Sequence, residues 1–192
     1  MTDTRWAKEV QIKACKIDSD AVKFLDKLVQ DRELRAITLA RCNLEDGVAA
    51  EIAACLAKGT WSSIRTLGLD GNQMLGDATA EALAQALSTN ITLTELSLWG
   101  TGIGDAGASS FASALRKNTT LQNLWLGECE GISDTGAASL QDALQENSSL
   151  DQLALVMTSV SDGVQDVIND LISSHREHRA LAGVESGRVA EA

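Results

Sequence analysis

Proline and tyrosine are absent from this chain of 192 residues, and aromatic residues make up only 3% of it. Its core must therefore be built from leucine and alanine, and 44% apolar residues is enough for one continuous domain. No stretch approaches the ~18 consecutive apolar residues of a membrane-spanning helix, so no membrane span is expected. Nor does an apolar targeting segment follow Met1 to Arg5, which lead into Trp6 and charged residues. Positive charge is scarce. The net charge of −11 argues against nucleic acid as a partner, because a phosphate backbone needs a basic footprint. Residues 1–33 balance seven Lys/Arg with seven Asp/Glu, but residues 66–175 set only Arg116 and Lys117 against fourteen carboxylates. Two readings of that imbalance stay open: attraction of a protein partner with a basic patch, or a surface that simply keeps the chain soluble.

What is present is a repeat. Leu34-x-x-Ile37-x-Leu39 recurs as Ile64-x-x-Leu67-x-Leu69, Leu93-x-x-Leu96-x-Leu98, Leu121-x-x-Leu124-x-Leu126 and Leu150-x-x-Leu153-x-Leu155, with starts 30, 29, 28 and 29 residues apart. Val10-x-Ile12 is a degenerate earlier copy. A fixed period of this length marks a solenoid whose units stack on their neighbours. In the unit 93–120, Leu96 and Leu98 alternate as on a short strand. Thr101 and Ile103 turn the chain, and Asp105 is placed to cap a helix running from about Ala106 to Lys117. Ala108, Phe111, Ala112 and Leu115 share one helical face, and Asn118 is read as the stop. Asp46, Asp77, Asp134 and Asp162 recur at the same capping position, and Ala49, Ala80 and Ala137 at the small position of Ala108. Short strands each followed by a helix should run parallel. Helices ~10 Å across stack more widely than strands ~4.8 Å apart, so the strands should line the inside of a curved arc.

Read in full, one unit is Leu93-Thr94-Glu95-Leu96-Ser97-Leu98-Trp99-Gly100-Thr101-Gly102-Ile103-Gly104-Asp105-Ala106-Gly107-Ala108. This pattern resembles the leucine-rich repeats of the ribonuclease-inhibitor type, clearly over residues 34–172 and weakly over 7–33. The resemblance implies an α/β leucine-rich-repeat solenoid: a curved horseshoe arc of about six repeats, with parallel strands on the concave face and helices on the convex face. The expected division is an N-terminal capping or degenerate repeat at 1–33, repeats at 34–179 and a mobile C-terminal tail at 180–192. Trp6, Val22, Phe24, Leu25 and Leu28 would close the N-terminal end. Leu181 and Val184 could instead dock on the last unit.

No reactive constellation stands out. Cys15, Cys42 and Cys129 occupy one repeat position, which the resemblance makes the inward-turning ladder position; Asn72, Thr101 and Thr158 fill it elsewhere. They are expected as small buried thiols, and with Cys55 in a helix no metal-ligand spacing results. Four cysteines on a repeat framework suggest a reducing, cytoplasmic setting. Three sequons begin at Asn90, Asn118 and Asn147, each at the end of a repeat helix, where a left-handed cap explains them all. His175 and His178 could pair on a metal but stand among charged residues, as at a solvated helix end. Hence no catalytic residue, metal or cofactor is expected, and the chain is not read as an enzyme.

The candidate site rests on side-chain direction. Residues between the strand leucines point to the concave side in three columns. The first includes Glu95, Asn123 and Gln152, the second Gly68, Ser97 and Trp125, the third Asp70, Trp99 and Gly127. Trp99 and Trp125, flanked by Asp70, Glu95, Asn123, Glu128 and Gln152, have the makeup of a protein-binding hot spot. The competing reading is that both rings lie flat and merely cover the sheet. Trp61, in a return loop, is read as packing. The function expected is a protein–protein interaction module, monomeric on its own, that binds through its concave face. A structural subunit or adaptor of a larger assembly and a GTPase-activator-like regulator are the alternatives.

Overall fold

The computed structural model describes residues 9–32 and 34–189. Six parallel strands form one sheet in chain order: β1 (Glu9–Lys13), β2 (Ala36–Ala40), β3 (Thr66–Gly68), β4 (Glu95–Ser97), β5 (Asn123–Trp125) and β6 (Gln152–Ala154). Each is followed by a helix: α1 (Ser19–Arg32), α2 (Asp46–Ala57), α3 (Asp77–Leu87), α4 (Asp105–Leu115), α5 (Asp134–Leu144) and α6 (Asp162–Val189). The pairing register matches the repeat register throughout. Val10 faces Ile37, which faces Leu67, then Leu96, Leu124 and Leu153. β1 is thus a full member of the sheet despite its degenerate sequence.

The core is the layer between sheet and helices. The strand leucines are buried, and so are the helix residues Ile52, Leu56, Leu83, Leu87, Phe111, Leu115, Leu140, Leu144, Ile168 and Ile172. Ala49, Ala80, Ala108 and Ala137 are fully buried, which lets each helix lie close to the sheet. Trp61 is completely enclosed, and its indole nitrogen donates to Asp26 at 3.0 Å, tying α1 to the loop after α2. At the N-terminal end Val22, Leu25 and Val29 are buried. Phe24, expected among the closing residues, is instead 66% exposed, because it falls on the outer face of α1. Trp6 lies outside the described residues. The segment from residue 180, expected as a tail, is helical as far as Val189.

The recurring aspartates do not cap their own helices. The N-caps of α2, α3 and α4 are Glu45, Gly76 and Gly104, which make no side-chain cap bond. Asp46, Asp77, Asp105 and Asp134 instead reach the start of the next unit's helix. Asp46 accepts from Gly76 N at 3.0 Å and from Thr79 Oγ1. Asp77 accepts from Gly104 N at 2.8 Å and Gly107 N at 2.9 Å. Asp105 accepts from Ser133 N, Ser133 Oγ and Gly136 N at 2.7, 2.7 and 2.9 Å, and Asp134 from Ser161 N and Oγ. A helix begins with unsatisfied N–H groups and a partial positive charge, so a carboxylate from the preceding unit stabilises it there. The close approach explains two glycines: a Cβ on Gly136 would sit 2.6 Å from Asp105 Oδ1, and one on Gly107 2.7 Å from Asp77 Oδ1. At α1 a local aspartate, Asp18, accepts from Ala21 N at 3.0 Å.

The sequon asparagines are not left-handed caps either. Among the described residues, the non-glycine ones with positive φ are Ala14, Arg41, Asn43, Glu128 and Met157. Asn90, Asn118 and Asn147 are buried and bridge consecutive units. Asn118 Nδ2 donates to Leu87 O and Asn90 O at 2.7 and 3.0 Å, while its Oδ1 accepts from Thr120 N and Leu121 N at 2.9 and 2.7 Å. Asn147 repeats the pattern one unit on. Among the described residues these amides form a ladder along the helix-to-strand turns. A second ladder runs along the strand-to-helix turns. There Asn72 donates to Leu39 O and Leu69 O and accepts from Cys42 N and Leu44 N, Thr101 donates to Leu98 O, and Cys129 Sγ lies 3.3 Å from Leu98 O. Cys42 and Cys129 are buried as expected, but Cys15 is exposed.

Candidate functional site

Short strands with one buried residue between two partly open ones present alternate side chains on the strand face. The three columns follow from the register: Glu95 pairs with Asn123 and Asn123 with Gln152, and Ser97 pairs with Trp125. Trp99 and Trp125 are both half-buried on this face. Each ring is held in place. The six-membered ring of Trp99 lies on Gly127 of the next unit, so close that a Cβ there would be 2.5 Å from Cζ3. The indole nitrogen of Trp125 donates to Glu95 Oε1 at 3.0 Å. Asp70 accepts from the hydroxyl of Ser97 and, at 3.1 Å, from Trp99 N, which anchors the backbone that carries the first ring.

These contacts bring four of the expected residues together. Asp70, Glu95, Trp99 and Trp125 surround an open hollow of about 360 Å³ whose remaining wall is Thr38, Thr66, Gly68 and Ser97. Asn123 and Gln152 continue Glu95's column across the next two strands but do not line the hollow. Glu128 stands apart, beyond the strand ends. Of the glycines near the rings, Gly127 carries one directly. Gly68 abuts Thr38 and Asp70, and Gly100 abuts Glu128 and Gly71.

A larger groove of about 1230 Å³ runs along the strand-to-helix rim. It shares Asp70 and Trp99 with the hollow and adds Lys13, Arg41, Glu128 and Glu130. Sequence reasoning did not single out Arg41 or this rim. The available signal was the second residue after each last strand leucine: Ala14, Arg41, Gly71, Gly100, Glu128 and Met157. All six have φ between 55° and 69°, and the two glycines among them mark a left-handed position.

Among the described residues no group of three or more His, Cys, Asp or Glu side chains could hold a metal ion, and no described helix is long and apolar enough to cross a membrane. Burial, ahead of the Asp26 charge, pushes the Cys55 thiol up, and burial likewise pushes up Cys129. The Lys58 charge acts the other way on Cys55 but is outweighed, so neither thiol is activated as a thiolate. The site offers aromatic surface, hydroxyls and carboxylates to a ligand.

Strand, inward-turning ladder residue and helix, repeated in register through one parallel sheet, define a leucine-rich-repeat solenoid. A family model of the leucine-rich repeat matches residues 89–112 and 117–140, and the whole described chain folds as a leucine-rich-repeat solenoid. Among solved structures it is similar to the actin-binding site 2 domain of leiomodin-1, with a TM-score of 0.61 at 21% identity over 77% of this chain and 83% of that one. It is also similar to the C-terminal domain of tropomodulin from Caenorhabditis elegans, with a TM-score of 0.57 at 12% identity over 95% and 92% of the two chains. At these identities the likeness is one of fold. No curated protein sequence matches the chain.

Proposed function

We propose that this protein is a non-catalytic interaction module that docks a partner protein on its inner strand face, with Trp99 and Trp125 as anchors. The carrying observation is the pair of indoles in neighbouring units, each fixed by one contact and open on its other side, around a hollow edged with Asp70 and Glu95. Rings held in place before binding lose little conformational freedom on docking, which favours affinity, and aromatic anchors ringed by polar groups are the usual makeup of a hot spot. Asn123, Gln152 and Glu128 would form the polar surround, and the carboxylate excess would steer a partner with a basic patch. The ribonuclease-inhibitor type of repeat, a cytoplasmic setting and a monomeric state are part of the same reading.

The leiomodin-1 domain is named for an actin-binding site, which makes actin a first candidate. Actin co-sedimentation, alongside capture from the native source with identification by mass spectrometry, tests the reading. The Trp99→Ala/Trp125→Ala double variant should retain its helical circular dichroism and lose at least about ten-fold in affinity for whatever partner is identified. Undiminished binding by the double variant overturns inner-face docking.

A further inference from the structure

The rim groove carries charge of both signs in an ordered way. Lys13 and Arg41 line it at the end nearer β1 and Glu128 and Glu130 at the end nearer β6; Asp70 lies between them in the repeat order, its carboxylate engaged by the Ser97 hydroxyl and Trp99 N. Between Arg41 and Glu128 in the repeat order come Gly71 and Gly100. All four occupy one repeat position and share the left-handed backbone that glycine adopts freely and other residues adopt at a cost. The two charged side chains fold inward over the two glycines. Arg41 lies across Gly71, its Nε 3.4 Å from where a Cβ would be, and Glu128 lies across Gly100, its Oε2 at 3.5 Å by the same measure. Adjacent units are about 4.8 Å apart, so a guanidinium and a carboxylate are held side by side above a floor of exposed backbone. They are not among the ion pairs formed by the described residues. The wall is Trp99.

We infer that the rim groove binds an extended segment of the partner protein that carries one acidic and one basic side chain two residues apart. The inference rests on the protein-binding reading above and adds to it the chemistry of the partner. In an extended chain, residues i and i+2 point to the same side about 6.6 Å apart, wider than the ~4.8 Å between the two glycine-floored units, and the flexible Arg41 and Glu128 side chains would splay to span the difference. The partner's carboxylate would face Arg41, with Lys13 behind it. Its cation would face Glu128, with Glu130 behind it. A floor without side chains lets the peptide backbone approach closely.

The test uses fluorescein-labelled heptapeptides of Gly and Ser that carry Asp-Ser-Arg, Arg-Ser-Arg or Asp-Ser-Asp at the centre, titrated by anisotropy at low ionic strength. The unmodified protein should favour the mixed peptide over either like-charged one by roughly five- to ten-fold. Arg41→Glu should move the preference to Arg-Ser-Arg and Glu128→Arg to Asp-Ser-Asp; both side chains are exposed and both replacements keep a non-glycine residue at the same backbone position, so thermal melts should be unchanged. First rank for Arg-Ser-Arg with the unmodified protein would reduce the groove to general acidity and overturn the inference, as would variants that leave the ranking unaltered. Trp125→Ala, whose ring is outside the groove, should leave the ranking as it was. Loss of the ranking while partner capture still depends on the two tryptophans removes the rim segment alone; a preserved ranking with tryptophan-independent capture removes inner-face docking alone.

Discussion

Trp99 rests its six-membered ring on Gly127 of the following unit, where any side chain would collide with Cζ3, Cε3 and Cη2. The glycine is therefore part of the tryptophan's seat. Gly127→Ala should lift the ring off the sheet. Overpacking of this kind is expected to destabilise by roughly 1–3 kcal/mol and to expose the indole. A red shift in tryptophan emission with a lowered melting temperature checks it; an unchanged spectrum would show that the ring does not depend on this seat.

Asn118 joins units by donating to two carbonyls and accepting from two amides in a buried turn. Asn118→Ala leaves those four backbone groups without their partner, so a loss of roughly 2–3 kcal/mol is expected, and at this chain length a melting temperature about 5–10 °C lower. Because its Nδ2 is engaged and enclosed, the folded protein should also carry no glycan at Asn118. Mass spectrometry of folded material made in a secretory host reads this directly.

Asp105 holds the start of α5 through Ser133 and Gly136, and its backbone bond to Ser133 is the main cause of a pKa below the ordinary 3.8. A carboxylate depressed in the folded state stabilises the fold above its unfolded value and loses that contribution as pH falls through the folded value. The stability gap between the unmodified protein and Asp105→Ala should thus be full at pH 7, begin to narrow near pH 4 and close below it. Urea melts at pH 7, 4 and 2.5 measure the gap. A gap that is independent of pH would show that the side chain acts by packing alone.

The four cysteines should separate by reactivity. Cys15 is exposed, Cys55 is half-buried, and Cys42 and Cys129 are buried. A thiol dye should label Cys15 quickly and Cys55 slowly, since burial pushes its pKa up and leaves less thiolate. The other two should react only in denaturant. Peptide mapping after brief labelling gives the order, and early modification at Cys129 would contradict the enclosed ladder.

The architecture was legible because leucine spacing dictates which residues turn inward, and a one-residue slip in register would put every apolar side chain on the wrong face. The three strand columns and the buried helix faces follow from that, and Trp61 was read as packing from its place in a return loop. The roles of the polar repeat residues were not legible. Asp105 sits where a helix cap belongs, and Asn118 where a helix stops, so local rules assigned each to its own unit. In a stack, however, the neighbouring unit lies closer to those side chains than their own backbone does. Cys15 was misread for a related reason: it shares a repeat position with the buried Cys42 and Cys129, but the first described unit leaves it in solvent.

From its own residues the chain determined the period, the parallel strands, the buried face of every helix and the outward direction of Trp99 and Trp125, since all of these depend on side-chain alternation along a single segment. The tertiary structure decided where the second partner of each interaction comes from. Asp105 reaching Gly136, Trp99 resting on Gly127, and Arg41 and Glu128 folding over Gly71 and Gly100 join residues about one repeat apart, and a stacking distance of a few ångströms brings those residues together.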